Sequence, residues 1–399
     1  MGELFKAAQG IYDECVEIRR TIHQNPEIGR KEFKTSELIR EKLRLYGVDQ
    51  IDSPVPTAVV ALIKGTKEGP GKDKCLAIRA DIDALPIQEE TDVPYKSQVP
   101  DMMHACGHDL HATMLLGTAK LLCERRREFA GTIKLIFQHS EDTLPGGAKE
   151  LVEKGVMENP HVDAIFGMHI LPEEGEIGRV KFMEGPVTTS VDLFDVTVNG
   201  VGGHGSTPQL TKDPILAACQ MVVLLQQIQS RYVDPLETVI FPVCSFHSGD
   251  APNVIPGQAR FSGIARAYVD HVRDDVTKQV YDIAKGMESI AGVQVDINHY
   301  EGYPACYNDE KLTRMNRSAV AAELGEDMVY DMDKPMSFSE DFSYFTKMTG
   351  TPGVYVLLAA GYEGELQPLH NSKMLPDEKA MPYGIAAMCA SALNYMKSM

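Results

Sequence analysis

The sequence predicts a two-domain α/β protein in which a small ferredoxin-like unit is inserted into a larger α/β domain. Three observations carry this. The chain has 399 residues, more than one ordinary core of ~100–200 residues holds. Short apolar runs alternate with helical stretches early and again late in the chain, the pattern of a largely parallel sheet covered by helices. Between them the order becomes βαββαβ, that of a ferredoxin-like unit. The expected boundaries are 1–186 and 303–399 for the two pieces of the larger domain and 187–302 for the insert.

Between positions 4 and 22 the residues Leu4, Ala8, Ile11, Cys15, Ile18 and Ile22 recur at steps of three and four, one face of a single packing helix. The apolar runs 58–63, 75–80, 132–137 and 164–168 are expected as buried strands, and 112–125 as a helix. After Pro186, alternation at 190–199 predicts a strand, 214–229 a helix, 239–246 and 259–267 strands, 272–290 a helix and 293–300 a strand. Gly185-Pro186 on one side and Gly302-Tyr303-Pro304 on the other suit a pair of hinges. The first pattern then returns, with a strand at 353–358 and a helix from about 382.

Composition excludes several classes of function. A hydrophobic fraction of 43% with 24% charged residues is that of an ordered globular protein. The net charge of −18 repels phosphate backbones and anionic lipid, so neither nucleic acid nor a membrane is expected as a partner. Apolar runs such as 355–360 are far shorter than the ~20 residues of a membrane span, and no basic-then-apolar leader opens the sequence. A cytoplasmic location is expected. Eight scattered cysteines form neither a disulfide framework nor a zinc knuckle. Most are expected to be buried and reduced, and only Cys106 sits among histidines and an aspartate.

That neighbourhood, Met103-His104-Ala105-Cys106-Gly107-His108-Asp109-Leu110-His111, places a thiol and three imidazoles within nine residues. Thiolate with imidazole suits zinc or another borderline-soft divalent ion, and three histidines beside a cysteine weigh against mere capping and core roles. Glu141 and Asp142 follow an apolar strand, where α/β sites form. Such a pair can divide its labour, one carboxylate binding metal and the other moving a proton; a solvated loop pair would look the same. His169 ends another strand and His370 follows a loop. Asp81 and Asp83 also end a strand, placed either to hydrogen-bond a ligating imidazole or to cap a turn.

The order of these segments resembles the M20 metallopeptidase clan, and within it the amidohydrolase subfamily of aminoacylases, hippurate hydrolases and auxin (indole-acetic acid) conjugate hydrolases. The match runs nearly end to end: His23-Gln24-Asn25-Pro26-Glu27, RADIDALP from Arg79, HACGHDLH from His104, the acidic pair, Gly167-Met168-His169, Gly200-Val201-Gly202-Gly203-His204-Gly205-Ser206, Asn253-Val254-Ile255-Pro256, Ser339-Glu340-Asp341-Phe342 and Leu369-His370-Asn371. The resemblance implies a phosphorylase/hydrolase-like catalytic domain with the insert as lid and dimerisation domain, in a homodimer or homotetramer. It implies that Cys106, His108, Asp142, His169 and His370 bind two divalent ions (Zn, Mn, Ni or Co), ~3.5–4 Å apart in such sites. Glu141 becomes the general base and Asp83 supports the metal shell. His204, often supplied by a partner subunit in related enzymes, becomes the oxyanion donor, while Asn253 and Arg266 hold the substrate carboxylate. The subfamily usually has two glutamates at the acidic pair, so Asp142 must reach the metal from a different backbone position. His139 replaces the usual proline, either as an extra polar contact or, the favoured reading, as a surface residue.

The implied activity is hydrolysis of the amide bond of an N-acyl amino acid. N-acetyl-diaminopimelate deacetylase and dipeptidase or carboxypeptidase activities are the near alternatives. A non-catalytic conjugate-binding protein would be expected to have a broken ligand set. A Cys106 nucleophile would leave the acidic pair without a purpose.

Overall fold

The segments Cys75–Asp81 and Gly353–Ala359 are buried along their whole length, so the strands they form need cover on both sides. In the computed structural model, which describes residues 1–175 and 177–398, these strands lie in the first of two compact units. That unit comprises residues 1–187, 307–335 and 341–399, and the second comprises 188–306 and 336–340.

The sheet of the first unit runs Gln50–Asp52, Val59–Lys64, Thr132–Gln138, Cys75–Asp81, Ala164–Leu171, Gly353–Ala359, Val180–Phe182, Val329–Asp331. It is mixed rather than largely parallel. The four central strands pair in parallel, and so do Val180–Phe182 and Val329–Asp331 at one edge. Val59–Lys64 joins antiparallel on one side and Val180–Phe182 on the other. The helix His108–Glu124 packs against Tyr12–Gln24, Phe33–Tyr46, Met381–Lys397 and the strand Cys75–Asp81, and is buried almost throughout. The single N-terminal helix expected from periodicity is two, Glu3–Gly10 and Tyr12–Gln24. Gly10, a poor helix former, and Ile11, outside helical geometry at φ −108° and ψ 9°, make the break.

The second unit has the βαββαβ order. Its strands Asp192–Asn199, Gln258–Ala267 and Gln294–Glu301 form an antiparallel sheet with Asp192–Asn199 in the middle. The expected strand at 239–246 is divided into Val239–Ile240 and Val243–His247, both on Gln258–Ala267, because Pro242 between them lacks the N–H a ladder requires. One sheet face, with Phe194, Val196, Val198 and Phe261, packs on Ala218 and Met221 of the helix Pro214–Leu225 and on Val276 and Val280 of the helix Asp270–Ala291. Pro214–Leu225 ends four residues before the expected 229, and Ile228–Tyr232 forms a π-helical turn beyond it. Asp213 caps this helix, its carboxylate accepting the amides of Ile215 at 2.8 Å and Leu216 at 3.2 Å. Asp213→Ala is expected to destabilise this unit by about 1 kcal/mol, read as a lower urea midpoint. Among the described residues no helix is long and apolar enough to cross a membrane.

Candidate metal centre

The carboxyl ends of the parallel strands deliver most of the candidate residues. Asp81 ends one strand and Asp83 follows it; Glu141 and Asp142 follow the strand that ends at Gln138; His169 lies near the end of Ala164–Leu171. Cys106 and His108 flank Gly107, which starts the helix His108–Glu124 in the left-handed region at φ 86°. A Cβ there would lie 2.6 Å from Ile170 Cγ1, so glycine is required for both conformation and space. His370 also has a left-handed backbone, φ 64°, and its amide donates to Ala105 O at 2.8 Å.

These elements bring all five expected ligands together. Cys106 Sγ lies 3.4 Å from His169 Nε2 and 3.3 Å from His370 Nε2, and His370 Nε2 is 3.3 Å from Asp142 Oδ1. His108 Nε2 lies 3.9 Å from both Asp142 Oδ2 and Glu141 Oε2. Two three-residue groups therefore share one sulfur: Cys106 with His108 and His169, and Cys106 with Asp142 and His370. The ring orientations suit ligation. His108 Nδ1 donates to the carbonyl of Asp83 at 3.0 Å and His169 Nδ1 to that of Ile170 at 2.6 Å, which leaves each Nε2 with its lone pair directed into the cluster.

The electrostatics favour a cation. Burial pushes the Cys106 thiol up, and the charge of Asp142 adds to this. Burial opposes a charge on His108, but Asp81 and Cys106 override it and raise its pKa well above the ordinary range. Hydrogen bonds to Asp142 and Cys106 push His370 up to about 10. His169 is instead held neutral by burial and by neighbouring His111. The anions of the cluster thus demand positive charge, which a divalent ion supplies while the rings stay neutral and the thiol ionises. The fit is supported by two buried atoms, His108 Nε2 and Asp142 Oδ2, that have no hydrogen-bond partner. The side chain of His370 is 52% exposed, so the cluster opens to solvent on that side.

Behind the ligands lie charged networks that the sequence revealed only in part. Asp83 carries more than a ligating ring: its Oδ1 accepts the amide of Glu141 at 2.9 Å and its Oδ2 that of Asp142 at 3.1 Å. Asp81 accepts from His111 Nδ1 at 2.6 Å, and His111 Nε2 accepts the amide of Ile170 at 2.9 Å, so His111 orients strand and helix. His104 is buried against His23. Arg79 was missed; it is fully buried and reaches Asp81 Oδ2 at 2.6 Å, Gln138 Oε1 at 2.8 Å and Asp341 Oδ1 at 2.8 Å. A charged residue two before an aspartate inside an apolar strand was the available signal, since period two puts both on one face. His139 is a correction: it is buried, not at the surface, with Nε2 3.4 Å from Glu150 Oε2, because it still belongs to the covered end of the strand that precedes it.

The three remaining candidates belong to the second unit. His204 and Val254 pair across a short antiparallel ladder, and the amide of Gly205 donates to Asn253 O at 2.8 Å, so His204 and Asn253 are neighbours. The amide and hydroxyl of Ser206 lie 3.1 and 2.7 Å from His204 Nδ1. An accepted amide makes Nδ1 the unprotonated nitrogen, so the neutral ring carries its proton on Nε2. Arg266, on Gln258–Ala267, donates from Nη1 to Ser339 Oγ at 2.7 Å and Ser337 O at 3.2 Å.

Several known proteins are similar to this chain along most of its length. An N-acetylcysteine deacetylase of Bacillus subtilis is 36% identical over 376 residues, 94% of this chain and 95% of its own length. An N-acyl-L-amino acid amidohydrolase of Geobacillus stearothermophilus is 38% identical over 323 residues, 80% of this chain and 85% of its own. A solved structure from Bacillus subtilis, described as a dinuclear metal-binding peptidase of the M20 family, matches with a TM-score of 0.82 at 31% identity, covering 98% of this chain and 100% of that one. Residues 77–394 match the model of peptidase family M20/M25/M40, and with relatives this similar along almost the whole chain, the protein belongs to that family.

Proposed function

We propose that this protein is a metal-dependent amidohydrolase that cleaves the amide bond of N-acyl amino acids. The observation that carries the reading is the pair of donor groups sharing Cys106 Sγ, beside a buried glutamate, Glu141, at the mouth of the acidic loop. Cys106, His108 and His169 would hold one divalent ion, and Cys106, Asp142 and His370 the other; Zn, Mn, Ni and Co all accept such donors. When bound, two such ions lower the pKa of a water and polarise the scissile carbonyl.

The residues of the chain supply the rest. Glu141 takes the proton of the attacking water and passes it to the departing amine, a task for a carboxylate near the cluster but not consumed as a ligand. Asp83 fixes that carboxylate by holding the amides of Glu141 and Asp142. His204, its proton on Nε2, donates to the oxyanion that develops on the carbonyl. Asn253 and Arg266 would bind the substrate carboxylate, where a guanidinium gives paired hydrogen bonds. The small-molecule substrate fits the net charge of −18, which disfavours large polyanions. Eight free cysteines suit the reducing cytoplasm, and a homodimer or homotetramer is the proposed assembly.

The test is a panel of N-acetyl, N-benzoyl and indole-acetyl amino acids, with N-acetyl-diaminopimelate and dipeptides beside them, assayed on chelator-treated protein with each of the four metals restored. Hydrolysis of one or more N-acyl amino acids is expected to disappear with the chelator and return with metal. Activity that survives chelation, or no turnover of any amide by metal-restored protein, would sink the reading.

A further inference from the structure

The acidic loop has an unusual backbone. Ser140, immediately before Glu141, is left-handed at φ 53°, a conformation that costs a non-glycine residue of order 1–3 kcal/mol unless its surroundings hold it. They do so from one short segment, residues 27–32. The amide of Ser140 donates to Glu32 Oε1 at 2.8 Å in a buried bond. Gly29 lies against the same residue so closely that a Cβ on it would be 2.6 Å from Ser140 Oγ and 3.2 Å from Ser140 Cα. Segment 27–32 is itself anchored beside Asp83, since the amide of Ala84 donates to Glu27 O at 2.9 Å and Ile28 bridges Ala84.

The consequence is that three consecutive amides, those of Ser140, Glu141 and Asp142, are held by two carboxylates, Glu32 and Asp83. Glu32 is completely buried, and nothing in the proposed chemistry uses it. Burial and the neighbouring charge of Asp83 raise its carboxyl to about 7, and the bond to Ser140 needs only a carbonyl-type oxygen. We propose that Glu32 is a positioning residue: by holding Ser140 left-handed against Gly29, it turns the backbone so that the short Asp142 reaches Cys106 and His370 and Glu141 points into the cluster. This rests on the metal-dependent reading above.

The experiment compares wild type, Glu32→Gln, Glu32→Ala and the double variant Glu32→Ala with Ser140→Gly. Each is loaded with Co(II), and the absorption of the bound ion, the metal stoichiometry, kcat and KM for an N-acyl amino acid, and the melting temperature are measured. Supporting outcomes for Glu32→Ala are kcat lower by about 10–100-fold, the size seen when an outer-shell partner of a metal ligand is lost, with KM within about twofold and an altered Co(II) spectrum. Glu32→Gln, which keeps an acceptor for the Ser140 amide, should recover most of kcat and the wild-type spectrum. Ser140→Gly, which removes the left-handed cost, should recover part of both in the Glu32→Ala background. The proposal is overturned if Glu32→Ala has wild-type kcat and spectrum, or if Glu32→Gln is as impaired as Glu32→Ala. Should Glu32→Ala fail to fold, Gly29→Ala replaces it: the added methyl must displace Ser140, and an unchanged Co(II) spectrum would equally overturn the proposal. The spectrum separates this failure from that of the proposed function, because a change at the metal is visible even in a protein that turns over no amide.

Discussion

Glu141→Gln is expected to lower kcat by about 10³–10⁴-fold, toward the upper end of what a positioned general base contributes, while metal content and KM stay close to wild type. The substitution keeps the size of the side chain and the amide bonds from residues 141 and 142 to Asp83. It removes the one property that matters, a carboxylate able to accept a proton. Glu141 belongs to neither donor group that shares Cys106, so its loss should leave both ions in place, and metal analysis beside steady-state kinetics checks this. Loss of an ion together with activity would instead make Glu141 a ligand. Unchanged turnover would remove it from the mechanism.

Arg79→Met should cost about 3–5 kcal/mol of stability, the penalty for breaking a buried ion pair from one side. The guanidinium has no exposed surface and neutralises Asp81 and Asp341, both equally buried. With methionine in its place the volume is roughly kept, but two carboxylates in the interior lose their shared cation. Burial opposes the ionised form of Asp81, and the charges of His108, Arg79 and His111 together hold it well below the usual carboxylate range. Removing one of these shifts it upward. A depressed folded-state pKa contributes stability above the unfolded value of about 4, so the deficit of the variant should be full at neutral pH. It should shrink only as pH falls below about 4, toward the depressed folded-state value, where the wild-type advantage is itself lost. Urea midpoints at neutral pH and well below about pH 4 measure both statements. A neutral-pH change below about 1 kcal/mol, the scale of an exposed pair, would contradict them.

Much of this was legible in the sequence for identifiable reasons. Strands such as Cys75–Asp81 and Gly353–Ala359 announced themselves because both faces are covered and every position is apolar or paired. Cys106 and His108 stood out because they are two apart among further histidines, and His169 because it ends such a strand, whereas Asp142 and His370 joined the expected donor set only through the resemblance. Strand direction was not, since an apolar run reads alike in either orientation; hence the antiparallel neighbours of the central parallel strands emerged only with the structure. His139 was misjudged because a histidine just beyond a strand carries no mark of its burial. Glu32 escaped because it acts through Ser140, more than a hundred positions away, and local spacing holds no trace of such a pairing; Arg79 left only the local sign that it stands two before Asp81.

The ring of His169 is steered by a peptide carbonyl, that of Ile170, whereas His108 Nδ1 meets both the carbonyl of Asp83 and, at 3.3 Å, its carboxylate, and the difference has a bearing on how the protein tolerates change. A carboxylate partner could be mutated away or protonated in acid, and the tautomer would be lost with it. A main-chain oxygen is present whatever amino acid occupies the position and takes up no proton in the working range of an enzyme. The aim of the His169 imidazole is therefore inherited with the chain trace itself, insulated from acidity and from most substitutions at 170, and would yield only to a shift of the strand that carries it.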